Sequence, residues 1–238
     1  MSGLEIVVVI AITTVGAVVQ GCVGIGIGLV AAPVLVAIDP AFVPGPMLAV
    51  GQIIAIRHIG AERRHIDLSA LRNCVVGLPV GLAIGLLVLL VVDERVLSII
   101  IGAVVAVAAA WLLTGPRIGR STRNEVATGG LVAFASTTAA LPGPPLVVAF
   151  SDMKPSAMRG TASAVILTVA VFVGISLAVA GRFGLHELGL TALLAPGAFI
   201  GMLASRYLRP RLDRTWFRTA VLIVAGAGGL ALVLRQLT

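Results

Sequence analysis

Residues Val126–Phe150 read VATGGLVAFASTTAALPGPPLVVAF, and the fold turns on what that stretch can do. It is 25 residues long, apolar and uncharged. As a helix it would measure about 37 Å at 1.5 Å per residue, enough to cross a hydrocarbon core of about 30 Å once but not twice. Yet it holds Leu141-Pro142-Gly143-Pro144-Pro145. Proline lacks the backbone donor and clashes with the preceding helical turn, so the helix breaks there.

Charge placement says which way the broken stretch goes. Three regions are rich in arginine: Arg57–Arg72 (with Arg63 and Arg64), Arg117–Arg123 and Arg206–Arg218. Short basic flanks stay in the cytoplasm. Leu68–Val92 and Val96–Leu113 then form an out-and-back pair with Asp93-Glu94-Arg95 outside. Working back from Arg206 puts Gly181–Glu187 outside and Ser151–Arg159 inside. Val126–Phe150 therefore starts and ends on the cytoplasmic side, as a re-entrant hairpin. Non-helical backbone is tolerated at that depth only inside protein or beside a watery cavity.

A second broken stretch opens the chain. It reads Gly21-Cys22-Val23-Gly24-Ile25-Gly26-Ile27-Gly28-Leu29, with Pro33 following. The same parity puts both ends of Leu4–Ile38 outside, with a turn near Gly21–Gly28; two short spans would serve equally. The other apolar segments are Ala41–Ile56, Ala157–Ala180, Leu188–Ser205 and Trp216–Leu234. Each half holds one hairpin and three spans, and three is odd, so the halves point in opposite directions. The expected fold is an all-α polytopic membrane protein of two inverted-topology repeats, residues 1–114 and 126–238, with a cytoplasmic linker at 115–125. Internal register agrees. A shift of 115 brings Gly28 to Gly143 and Gly45 to Gly160, and a shift of 116 brings Gly81 and Gly85 to Gly197 and Gly201. Paired interruptions in two halves point to the binding site of a secondary transporter.

Composition excludes most other classes. The chain is 59% hydrophobic and 11% charged, against roughly 25% charged in soluble domains. Its net charge of +7 is accounted for by cytoplasmic arginines, and no aromatic-basic platform suggests nucleic acid. Cys22 and Cys74 give neither a metal spacing nor a disulfide framework. No basic n-region precedes Leu4, so the first segment is expected to remain in place. No zinc-protease, hydrolase-elbow or P-loop motif is present, so neither enzyme chemistry nor any cofactor is expected. The acidic residues sit at loop positions, which argues against a buried-carboxylate relay. Lys154 is the only lysine, a bias that suggests a GC-rich bacterial genome and hence a bacterial inner membrane.

The motifs resemble those of the sulfite exporter TauE/SafE family of small anion permeases. The likeness rests on the spaced glycines Gly21–Gly28 with Pro33, on Pro142-Gly143-Pro144 after a Ser/Thr run, and on Met158-Arg159-Gly160-Thr161. In the family the first glycines are often contiguous; here Cys22, Val23, Ile25 and Ile27 separate them. The resemblance implies transport of sulfite, sulfonates or other small sulfur- or carbon-containing anions. A passive anion channel and a membrane scaffold subunit remain the alternatives. The expected partners are a small anion and the bilayer, with a homodimer admitted and nucleic acid excluded.

An anion at mid-membrane needs donors. Half-helix N-termini restarting near Leu29 and Pro144-Pro145 would offer N–H groups and a positive dipole end. The candidate substrate-binding residues are Gly24, Gly26, Gly28, Ser136, Thr137, Thr138, Gly143, Pro144, Gln20, Gln52, Thr161 and Ser163. Each has a plainer reading. Glycines also permit close helix packing, hydroxyls bond their own helix carbonyls, and amides bond across helices. Arg57 and Arg159 read as cytoplasmic anchors, with attraction of anions toward the inner mouth as the alternative, and His58 and His65 as solvated.

Overall fold

A computed structural model describes residues 2–23, 26–115, 118–208 and 214–237. Among these the structure is helical, without strands. The helices are α1 Gly3–Val23, α2 Gly28–Ile38, α3 Gly45–Glu62, α4 Leu68–Val91, α5 Glu94–Thr114, α6 Thr122–Ala139, α7 Gly143–Ala149, α8 Pro155–Val179, α9 Leu185–Leu208 and α10 Arg214–Leu237. Seven of the described helices are long and apolar enough to cross a membrane; α2, α6 and α7 are not among them. The chain is a multi-pass membrane protein.

Local chemistry sets the boundaries. Asp67 caps α4 by accepting from the amides of Ser69 and Ala70, Asp93 caps α5 through Val96, and Ser121 caps α6 through Asn124. Each satisfies N–H groups that the first helical turn leaves unpaired. Gly115 ends α5 in the left-handed conformation, which glycine adopts without a Cβ clash.

The two broken stretches each become one long and one short helix. Both restart at the glycines that a shift of 115 superposes, Gly28 and Gly143. The first break falls between Val23 and Gly28, within the stretch marked in the sequence. Gly21 stays inside α1, where Ser205 of α9 is so close that a Cβ would meet its Oγ.

Packing runs between the halves more than within them. α4 lies along α6, α9 along α1, α5 along α10 and α3 along α8. Exchanging the halves turns the first of these pairs into the second and leaves the other two unchanged, a pattern compatible with inverted repeats. The α4–α6 and α9–α1 seams are built alike. A Cβ on Gly81 would run into the carbonyl of Gly130, and one on Gly201 would lie 2.4 Å from the carbonyl of Thr14. Such approach needs a residue with no side chain.

Polar contacts gather the arginine-rich segments at one end of the bundle. Arg159 pairs with Glu62. The Asp67 amide donates to Thr161 Oγ1 at 2.9 Å. Arg120 bridges Asp67 and Glu125, both at 2.8 Å, and Asn73 donates to Glu125 at 2.7 Å. Glu125, expected at a loop position, is in fact 5% exposed in the first turn of α6. It tolerates burial because both carboxylate oxygens have donors. The hydrogen bonds and the Arg120 guanidinium hold Asp67 below its ordinary pKa, the Ala70 amide contributing most. The two carboxylates, Glu125 foremost, raise that of Arg120. At the opposite end, Arg95 Nε donates to the Gln236 carbonyl and the Phe183 ring lies against Gly45. The start of α6 and the start of α8 both belong to the arginine-rich end, so α6–α7 leaves that end and returns to it.

Candidate functional site

The breaks meet. A Cβ on Gly28 would lie 2.6 Å from the Ala140 carbonyl oxygen and 3.4 Å from Leu141 Cδ2. Gly26 reaches φ +102° and Ala140 φ +53°. Ala140 thus adopts a left-handed conformation that costs a non-glycine residue about 1–2 kcal/mol. Its turn is closed by hydrogen bonds from the Ala140 amide to Ser136 O and from the Leu141 amide to Ala135 O. In the first break, Gln20 Oε1 accepts from the Ile27 amide at 2.7 Å. That side chain ties the end of α1 to the start of α2.

Three hollows line up through this junction. The largest, about 370 Å³, lies toward the arginine-rich end and is walled by Gln20, Cys22, His58, Gly143, Arg159, Ser163 and Arg218 among others. A neck of about 30 Å³ follows, lined by Gln20, Gly26, Gln52, Ala140, Pro142 and Gly143 with apolar neighbours. Beyond it lies a groove of about 260 Å³ between α3 and α8, with Gln52 at one end and Phe183 lining it. Gln20, Gly143 and Ile166 are shared by the first two, and Leu48 and Gln52 by the last two.

The large cavity suits an anion. Arg159 reaches its wall while paired with Glu62. Arg218 lines it too and donates to the Leu112 carbonyl at 3.0 Å. His58 Nδ1 lies 3.4 Å from Ser163 Oγ. These residues are where sequence reasoning falls short. Arg159 reads as an anchor and His58 as solvated, yet both line the cavity. Arg57, also read as an anchor, lines a smaller hollow of about 150 Å³ with His58, Glu62 and Arg159. The signal present in the sequence is spacing. Arg159, Ala162, Ser163 and Ile166 recur at i, i+3, i+4 and i+7, one face of a helix, and all four line the cavity.

The candidate residues divide. Gly143 and Gln20 line both cavity and neck, Ser163 lines the cavity, and Gly26 and Gln52 line the neck. Gly28 packs one break against the other. Gly24 lies outside the described residues. Thr137 and Thr138 donate to Ala133 O and Phe134 O of their own helix, both at 2.8 Å, so the plain reading holds for them. Ser136 is wholly buried, and its Oγ has no partner among the described residues. Thr161 accepts from the Asp67 amide and lines none of these hollows. Pro144 turns instead to an apolar groove of about 260 Å³ with Trp111, Phe134 and Pro145.

The second of the two expected N–H cradles offers few donors. α7 has only seven residues, two turns of weak dipole. Pro144 and Pro145 have no N–H, so of its first three positions only Gly143 carries a donor. In the first break the Ile27 amide is already taken by Gln20.

A multi-pass bundle with touching helix breaks and an arginine-lined internal cavity defines a transporter-like membrane protein. The family model for the sulfite exporter TauE/SafE matches residues 8–232, and the chain belongs to that family. Its function is thereby that of a membrane transporter for sulfite-type anions. Comparison with curated proteins and with solved structures gives no match.

Proposed function

We propose that the chain is a secondary permease of the bacterial plasma membrane that moves a small sulfur-containing or carboxylate monoanion by alternating access. The path runs from the large cavity through the neck to the groove between α3 and α8. The observation that carries this reading is the row of three hollows threading the joined breaks, widest and most basic at the arginine-rich end. By the positive-inside rule that end is cytoplasmic, which makes the present state open inward. Arg159, Arg218 and His58 draw the anion in, and the Glu62 carboxylate occupies Arg159 until an anion competes for it. A neck holding about one water favours a carrier over an open pore.

The test is flux of radiolabelled sulfite into proteoliposomes. Saturable uptake is expected, and Arg159→Gln should lower it at least about tenfold, as loss of a charge-assisted hydrogen bond implies. Wild-type flux in Arg159→Gln, or conductance that never saturates, would overturn the proposal.

A further inference from the structure

The neck differs from the cavity below it in one respect: it is uncharged. Its side chains are apolar except for two amides, Gln20 and Gln52. Gln20 Oε1 is committed to the Ile27 amide at 2.7 Å. Gln52 Nε2 donates to the Leu48 carbonyl at 2.8 Å. That bond fixes which way the amide points, because a carbonyl only accepts. That leaves the second N–H of Nε2 and the acceptor Oε1, and Oε1 is buried with no partner among the described residues. A buried acceptor left unsatisfied is unfavourable unless something passing through supplies a donor.

Two physical consequences follow for an anion moving out of the large cavity. It leaves Arg159, Arg218 and His58 behind and meets no cation in the neck. The solvation penalty of an ion scales with the square of its charge, so a dianion faces roughly four times the penalty of a monoanion in the same surroundings. It also passes Gln52, which lines the neck and carries that acceptor oxygen. A fully deprotonated oxyanion presents only lone pairs and is repelled by Gln52 Oε1. An anion that keeps an O–H donates to it.

Resting on the reading of this path as the anion route, we propose that the neck selects monoanions bearing an O–H donor and that Gln52 is the residue that reads the donor. The class includes the hydrogen form of sulfite, hydroxyalkanesulfonates and small hydroxycarboxylates. The unpartnered Ser136 hydroxyl does not line the neck and takes no part.

The test uses the full-length protein in proteoliposomes at a single pH, so that the charge of protein and probes is the same in every arm. Counterflow is measured for three probes: ethanesulfonate, 2-hydroxyethanesulfonate and ethane-1,2-disulfonate. Wild type should carry the hydroxylated monoanion about tenfold faster than its plain analogue, the factor one net hydrogen bond gives. It should carry the disulfonate slowest. In Gln52→Leu the ratio between the two monoanions should fall to about one. A ratio, unlike a rate, does not move when a variant is merely less stable or less abundant. No discrimination in wild type, an unchanged ratio in Gln52→Leu, or a disulfonate carried as fast as ethanesulfonate would each overturn the proposal. Failure of every small anion, sulfite included, to cross would overturn the permease reading itself.

Discussion

Gly28 and Ala140 hold the two helix breaks in contact: the α-carbon of the first faces the carbonyl of the second with no room for a methyl group between them, a Cβ there lying 2.6 Å from the oxygen. The two residues are 112 positions apart in sequence. Gly26 and Pro142, beside that contact, both line one small neck.

Gly28→Val should therefore pry the breaks apart. Overpacking against backbone that cannot rotate away costs about 1–3 kcal/mol. A lower unfolding temperature in detergent and loss of sulfite flux are the expected results. Normal stability and normal flux together would mean that the contact yields freely and does not shape the neck.

Acid sensitivity should trace in part to Asp67. Its pKa is depressed from 3.8, chiefly by the Ala70 amide and then by Arg120. A depressed carboxylate contributes stability that is complete above its ordinary pKa and is lost as pH falls through the depressed one. Thermal unfolding should thus be level from neutral pH down to about 4 as far as Asp67 is concerned, and should weaken below that. Asp67→Asn keeps an amide oxygen for the cap but removes the charge. Its unfolding temperature should be lower at pH 7 and should fall less on acidification. An acid profile identical to wild type would sink the assignment.

Sidedness can be read with single cysteines. Ser151 and Arg182 are both exposed, the first in the loop returning from α7 and the second between α8 and α9. In a background with Cys22 and Cys74 replaced, a membrane-impermeant maleimide should label Ser151→Cys only from the cytoplasmic face and Arg182→Cys only from the other. Labelling of Ser151→Cys from the periplasmic face would rule out the re-entrant course of α6–α7.

The sequence showed the breaks and hid the cations, and the reason is physical. Three prolines around Gly143 forbid a continuous helix whatever surrounds them, so the interruption was legible from local chemistry. Arg159 near the start of a span looks the same whether it faces lipid headgroups or a cavity. Only the placement of α3 beside α8, with Glu62 and His58 on the facing turns, turns it inward. The hydroxyls of Thr137 and Thr138 were ambiguous for a related cause. Their own helix offers acceptors four residues back, and in both cases that local bond prevailed. The missing donors at Pro144 and Pro145, by contrast, follow from residue identity alone and already weaken any reading of α7 as an amide cradle.

The glycine seams carry a mechanical implication. α6, from the second half, is pressed backbone to backbone against α4 of the first, and α1 of the first is pressed likewise against α9 of the second. The joint in the sequence, near residue 115, is thus not a joint in the machine. Cutting the chain there would leave two fragments, each missing the surface its long broken helix is fitted to, and neither would be a free-standing unit. The alternating-access motion proposed above would therefore have to move a body of mixed parentage, part first half and part second.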